Sequence, residues 1–375
     1  MNTDLAYLRL IWLWETPSRR PYDLCKRLRG RCEHGTLRAQ PIEKMMEEHN
    51  MHAFPAAWAA PVRLASLCAA AVLATGCATP ATSSLGDFPD PFVLAEGGGY
   101  YAYATNANNK NVQLVHSADL RTWRSLPDAM PVLAPWVRKE VPHVWAPEVI
   151  RLGERYVLYY TAHDIASDRQ CVGAAVSNSP AGPFVDSATA PLVCQAALGG
   201  TIDASPFLDG GRLYLYFKSD GNCCKQPTHI FAQELRPDGL ATFGEPTRLL
   251  TNGRTWEGKV IEAPTMVLRD GKYTLLYSAN DFGNGSYAAG HASCAGPLGP
   301  CQPVGDAPFL KTSKEAKLFG PGHQAVFKVG AQDYIAYHAW ELKPDGSRGE
   351  RRLMYIDRLD WEDGKPVVKG TTLVR

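Results

Sequence analysis

Three carboxylates stand in comparable settings along this chain: Asp90 in FPDPFVL, Asp203 in TIDASPFL and Glu262 in VIEAPTMVL. Each interrupts a short apolar run close to a proline. Burying a charge is costly unless it is paired or put to use. Acids held in such surroundings acquire pKa values that separate, which is the condition for acid–base work. Cleavage of a glycosidic bond needs such a set, with one carboxyl protonated at the leaving oxygen and another ionised to activate water.

Taken singly, each residue has a plainer reading. Asp before Pro is a turn former, Asp203 could cap the start of a strand, and Glu262 could pair with Lys259 or Arg269. What these readings do not explain is recurrence. The segments DPFVLAEGGGYYAYATN, APEVIRLGERYVLYYTA, ASPFLDGGRLYLYFKSD, APTMVLRDGKYTLLYSAN and GHQAVFKVGAQDYIAYHAW share one plan: an apolar strand, a glycine turn and an aromatic-rich alternating strand. They return about every 58 residues, a period of propellers and solenoids. Helical periodicity is nearly absent. The expected fold is all-β, a five-bladed β-propeller over residues 86–375, with the first strand of each unit nearest the axis.

Aligned on Pro91, Pro147, Pro206 and Pro264, the repeats place Asp90, Asp203 and Glu262 at near-equivalent starts of inner strands. Such starts converge on one end of the axial channel. Unit two places Trp145 there and unit five His323. The alternatives are a core aromatic for Trp145 or Trp256 and a satisfied core histidine for His323.

The elements outside the repeat bound the setting. Lys plus Arg number 39 against 38 Asp plus Glu, so no charge imbalance favours nucleic acid. A 45% hydrophobic content supplies a packed core. Residues 1–50 read as unstructured or as a mis-assigned start. Residues 51–77, MHAFPAAWAAPVRLASLCAAAVLATGC, read as an export signal, with Cys77 as a candidate lipid-anchor site, and residues 78–85 as a linker. Apart from that anchor nothing implies a membrane partner. Downstream, CVGAAVSNSPAGPFVDSATAPLVC and CAGPLGPC favour disulfides Cys171–Cys194 and Cys294–Cys301, whereas adjacent Cys223 and Cys224 leave pairing open.

In order and spacing, FPDPFVL, HVWAPEV, TIDASPFL, VIEAPTMV and FGPGHQAVF resemble the five blades of glycoside hydrolase family 43, the arabinofuranosidases, β-xylosidases and arabinanases. The resemblance implies Asp90 as general base, Asp203 as the acid that tunes pKa and orients, and Glu262 as general acid. It also implies His323 near the axis, where some members hold Ca²⁺, and Arg352 as a contact to substrate or to an acid. No cofactor is otherwise implied. The apolar setting of Glu262 predicts a carboxyl kept protonated near neutral pH, and Asp90, in a turn-like segment, one kept ionised. Phe88, Trp145 and Phe207 are the expected sugar-facing aromatics. The function so read is inverting, exo-acting α-L-arabinofuranosidase activity on arabinan, arabinoxylan or their oligosaccharides. β-Xylosidase and arabinanase are the near alternatives. A non-catalytic carbohydrate-binding propeller would not need the acid trio, and a retaining fructan hydrolase would carry an Arg-Asp-Pro motif that is not found here.

Overall fold

The computed structural model describes residues 85–374. The expected export signal and Cys77 lie outside the described residues. Alternation of apolar and polar positions, broken by glycine turns, folds the chain into five consecutive antiparallel sheets. Blade 1 contains β1 (Phe92–Glu96), β2 (Gly99–Ala104), β3 (Gln113–Ser117) and β4 (Trp123–Ser125). Blade 2 has three strands, β5 (Trp145–Leu152), β6 (Arg155–Asp164) and β7 (Arg169–Ser177). Blade 3 holds β8 (Thr201–Asp209), β9 (Arg212–Ser219), β10 (His229–Leu235) and β11 (Thr242–Thr251). Blade 4 holds β12 (Ile261–Arg269), β13 (Lys272–Ala279), β14 (Ala288–Cys294) and β15 (Cys301–Pro303). Blade 5 holds β16 (Gly322–Val329), β17 (Gln332–Leu342), β18 (Arg348–Glu362) and β19 (Lys365–Lys369).

First strands touch in the order β1, β5, β8, β12, β16 and back to β1, which closes a ring. Because side chains alternate across a strand, the two faces of a second strand serve two interfaces. Leu158 and Tyr160 pack toward blade 1, and Val157 and Tyr159 toward blade 3. Each of the five interfaces has its own apolar cluster. The interface between blades 5 and 1 joins Phe88, Ala102 and Val115 to Phe327, Met354 and Ile356, and among the described residues no strand is shared across it.

Two expected sugar-facing aromatics are therefore corrected. Phe88 is 1% exposed and is part of the seam that closes the ring. Phe207 packs against the cluster between blades 3 and 4, edge-on to Tyr216 at 6.2 Å, well along β8 from Asp203. Phe88 precedes β1 and Phe207 lies four residues beyond Asp203, past the bulge, so nearness in sequence brings neither ring to the site. The structure joins Cys171 to Cys194, Cys294 to Cys301, and also Cys223 to Cys224.

Candidate active site

A bulge at the start of four of the five inner strands builds the site. Pairing of first and second strands skips between Trp145 and Glu148, Ile202 and Ser205, Glu262 and Thr265, and Gly322 and Ala325. In each bulge one residue takes a left-handed backbone: Ala146, Asp203, Ala263 and His323, with φ of 44°, 59°, 51° and 52°. Asp90, at 56°, fills that place in blade 1. Non-glycine residues in this region cost about 1–3 kcal/mol each and persist only where the surroundings enforce them. A bulge also re-aims side chains. Asp90 and Asp203 are thus true equivalents, whereas Glu262 lies one residue earlier, at the position held by Trp145 in blade 2. The proline alignment was out of register in blade 3, where Ala204 rather than Pro206 corresponds to Pro264.

The amide of each bulge residue is satisfied by the neighbouring blade. Ala146 N–H donates to Thr105 Oγ1 at 2.9 Å, Asp203 N–H to Thr161 Oγ1 at 3.3 Å and His323 N–H to Ser278 Oγ at 2.7 Å. Asp90 N–H donates to His338 Nδ1 at 3.1 Å. In blade 3 the corresponding second-strand residue is Lys218, which has no acceptor, and Ala263 N–H donates instead to Asp203 Oδ2 at 3.0 Å. Freed from that duty, Lys218 places its ammonium 2.9 Å from Glu262 Oε2 and 3.5 Å from Asp220 Oδ1 while fully buried.

Electrostatics divide the three acids. Burial would raise Asp90, but the Arg352 guanidinium, 3.3 Å from Oδ1, with His323 and His338 behind it, holds the carboxyl well below its usual range. Thr105 Oγ1 donates to the other oxygen. Burial, reinforced by the charge of Glu262, raises Asp203 to about 6 against the opposing pull of His323 and Lys218. Glu262 reverses the expectation. Burial pushes it up, yet Lys218 and the Tyr287 hydroxyl, which donates at 2.8 Å to Oε1, bring it below the ordinary glutamate range. The two carboxyls therefore titrate as a pair, with Asp203 raised by burial and Glu262 lowered by its cation. A fourth acid, Glu148, is pushed up to about 8 by burial and by the charge of Asp203, with Ser205 as its opposing hydrogen-bond partner.

Tyr287 links the two ends of this arrangement. It is 1% exposed, stacks on His338 with centroids 5.8 Å apart, and packs so closely on Gly322 that a Cβ there would lie 2.3 Å from the ring. Burial lowers His338 to about 4, so the imidazole is neutral. Its Nδ1 lies 3.1 Å from the Asp90 amide nitrogen and 3.2 Å from Asp90 Oδ1, and Nε2 is buried without a partner among the described residues.

Of the sequence-predicted residues, Asp90, Asp203, Glu262, His323 and Arg352 are brought together. Arg352 is the partner of Asp90, while its neighbour Arg351 pairs with Glu341. Glu262 pairs with neither Lys259 nor Arg269; the latter binds Asp333 at 2.8 Å. Trp145 is half-buried at the axial end of β5 and stacks on His143 at 5.5 Å, while Trp256 packs on Tyr277. Lys218, Tyr287, His338, Thr105 and Glu148 were not anticipated. Among the described residues the donors that gather in metal-ligating range are Asp164, Cys171 and Cys194, and both cysteines are in a disulfide. His323 belongs to no such group. Ca²⁺ takes roughly six to eight oxygen ligands, so the residues around His323 do not fit a protein-built Ca²⁺ cage, and no step below runs through a metal.

The sequence profile of the glycosyl hydrolases family 43 matches residues 84–366. The chain is 27% identical over 308 residues to a beta-D-galactofuranosidase of Aspergillus niger, covering 76% of this chain and 82% of the relative. It is 28% identical over 220 residues to an extracellular exo-alpha-(1->5)-L-arabinofuranosidase of Streptomyces chartreusis, covering 54% of this chain and 64% of the relative. A thermostable family-43 glycoside hydrolase of known crystal structure superposes with a TM-score of 0.68 at 31% identity, over 78% of this chain and 95% of the other. With five blades, an acid trio at their inner ends and this match over most of its length, the chain belongs to glycoside hydrolase family 43.

Proposed function

We propose that this glycoside hydrolase is an inverting, exo-acting α-L-arabinofuranosidase that removes arabinose from arabinan, arabinoxylan or their oligosaccharides. The observation that carries the chemistry is the split between Asp90, held ionised by Arg352, and the Asp203–Glu262 pair, which keeps one proton to about pH 6. Asp90 takes a proton from water as that water attacks the anomeric carbon. Glu262, at the opposite carboxyl position, delivers a proton to the departing oxygen, and Asp203 supplies the shared proton and the orientation. Water and leaving oxygen are on opposite faces of the ring, so the configuration inverts. No cofactor enters these steps, and exhaustive chelation should leave the rate unchanged.

Two features support a furanose at a chain end. The Aspergillus and Streptomyces relatives are both named for furanosides. The loops 281–287 and 221–228 connect second and third strands at the end of blades 4 and 3 where Glu262 and Lys218 lie, which favours a pocket over an open groove. Export is part of the same reading: the Streptomyces relative is named extracellular, and residues 51–77 carry the signal. The deciding experiment is chromatography of early products from linear arabinan and xylo-oligosaccharides, with proton NMR of the first-formed anomer. Free arabinose of inverted configuration is expected. A ladder of arabino-oligosaccharides would refute exo action, xylose alone would refute the sugar, and retention would refute the role of Asp90.

A further inference from the structure

The loop 281–287 joins β13 to β14 and ends at Tyr287, whose hydroxyl binds Glu262. Near its other end Phe282 is 50% exposed, although the loop around it is tightly held. Trp340 Nε1 donates to Phe282 O, and Arg348 Nη1 donates to Gly283 O at 2.9 Å. Asp281 accepts from Gly283 N–H at 2.8 Å and from Asn284 Nδ2 at 2.7 Å, and Thr312 Oγ1 donates to Gly285 O. The guanidinium of Arg352 lies 5.4 Å from the Phe282 ring and 5.9 Å from Trp340, and Arg348 covers Trp340 at 4.1 Å.

A lone exposed aromatic needs no explanation. Phe282 is different in two independent respects. Its backbone is fixed by a set of hydrogen bonds from blade 5, so displaying the ring costs no further ordering when a ligand arrives. The same Arg352 that touches its ring is 3.3 Å from Asp90 Oδ1, which places an apolar face one side chain away from the reacting centre. A pentose ring offers C–H groups to such a face while its hydroxyls stay in water.

Resting on the glycosidase reading above, we propose that Phe282 is a saccharide platform beside Arg352 and Asp90, holding the sugar next to the one that is cleaved. The loop then has two duties in one rigid piece: Tyr287 orients the acid, and Phe282 orients the chain that the acid releases. This residue sets preference for oligosaccharide over simple glycosides.

The test compares Phe282→Ala and Phe282→Tyr with the wild type on arabinotriose and on arabinofuranosyl fluoride, whose leaving group is a single atom. For Phe282→Ala the ratio of kcat/KM on the triose to that on the fluoride should fall about five- to tenfold, mainly through KM, with Phe282→Tyr restoring it. An unchanged ratio overturns the platform, and so does a loss that Phe282→Tyr fails to restore in a protein of wild-type Tm. If the wild type turns over neither substrate, the function reading has failed instead. Calorimetric titration with arabinotriose and xylotriose then decides the platform: weaker binding by Phe282→Ala upholds it, and equal binding overturns it.

Discussion

Lys218 Nζ lies 2.9 Å from Glu262 Oε2, so a fully buried ammonium is paired with the carboxyl that is proposed to give up a proton. The pair lowers the acid's pKa at the cost of keeping it ionised in the resting protein. Lys218→Met should therefore raise the pKa of Glu262, since burial is then opposed only by the Tyr287 hydroxyl and His323. We expect the alkaline limb of the kcat/KM profile to move to higher pH with a reduced maximum. A limb that stays in place, or moves down, would rule out Lys218 as the tuning cation.

The wild-type profile should be bell-shaped with unequal limbs. The alkaline limb reports loss of the shared proton and should fall through about pH 6. The acid limb reports protonation of Asp90, which lies well below the ordinary carboxylate range, so activity should persist to pH values below 4. Arg352→Met removes the first cation facing Asp90, and the acid limb should then move up. Rates on a natural arabino-oligosaccharide, whose leaving group needs the proton, would check both limbs.

Roles separate by leaving group. Glu262→Gln should lose about 10²- to 10⁴-fold on a natural glycan and far less on a dinitrophenyl glycoside, whose departure needs no proton. Asp90→Asn should lose alike on both. Similar losses for Glu262→Gln on the two substrates would remove its assignment as the acid.

Away from the site, Asp333 has a fully buried side chain that accepts from Arg269 Nη1 at 2.8 Å, Trp361 Nε1 at 2.9 Å and Lys328 Nζ. Burial raises its pKa, but these donors prevail and depress it. A depressed folded-state pKa gives stability that is present above the unfolded value and lost as pH falls through the folded one. Asp333→Asn should destabilise by about 1–3 kcal/mol at pH 7, because a charge-assisted acceptor is lost while Arg269 and Lys328 stay partly solvated, and the difference should shrink toward pH 3 in urea titrations.

For export, full-length protein expressed in a Gram-negative host should fractionate with membrane, and Cys77→Ser should release it into soluble periplasm. Intact mass would show whether residues 1–50 are retained. Soluble wild-type protein with an unmodified Cys77 would exclude the anchor.

The repeat, the blade count and the acid trio were legible because each rests on a periodic pattern that survives without knowledge of packing. The register of the bulges was not, since prolines at 206 and 264 occupy different places and only strand pairing reveals the skip. Lys218 did leave a trace. The second strands align Tyr103-Ala104-Thr105, Tyr159-Tyr160-Thr161, Tyr216-Phe217-Lys218, Leu276-Tyr277-Ser278 and Ala336-Tyr337-His338, in which a lysine replaces a small hydroxyl or an imidazole. Departure from a repeat at a buried position is the kind of signal that marks function. Phe88 and Phe207 misled because residue type and nearness in sequence report neither the packing of the segment ahead of β1 nor the register beyond the β8 bulge. The lowered pKa of Glu262 was illegible for a similar reason, since its cation comes from another blade.

The seam between the first and last blades has a consequence for biosynthesis. Asp90 emerges early in the domain, whereas His323, His338 and Arg352 emerge after four blades have been made. Until the C-terminal blade docks, the residue proposed to activate water lacks the cation and the imidazoles that keep it ionised and oriented. A nascent chain, or a product truncated ahead of β18, thus carries all three acids and no assembled centre. On the proposed roles, hydrolytic competence would arrive with the closing contact, and a chain exported unfolded would be inert in transit.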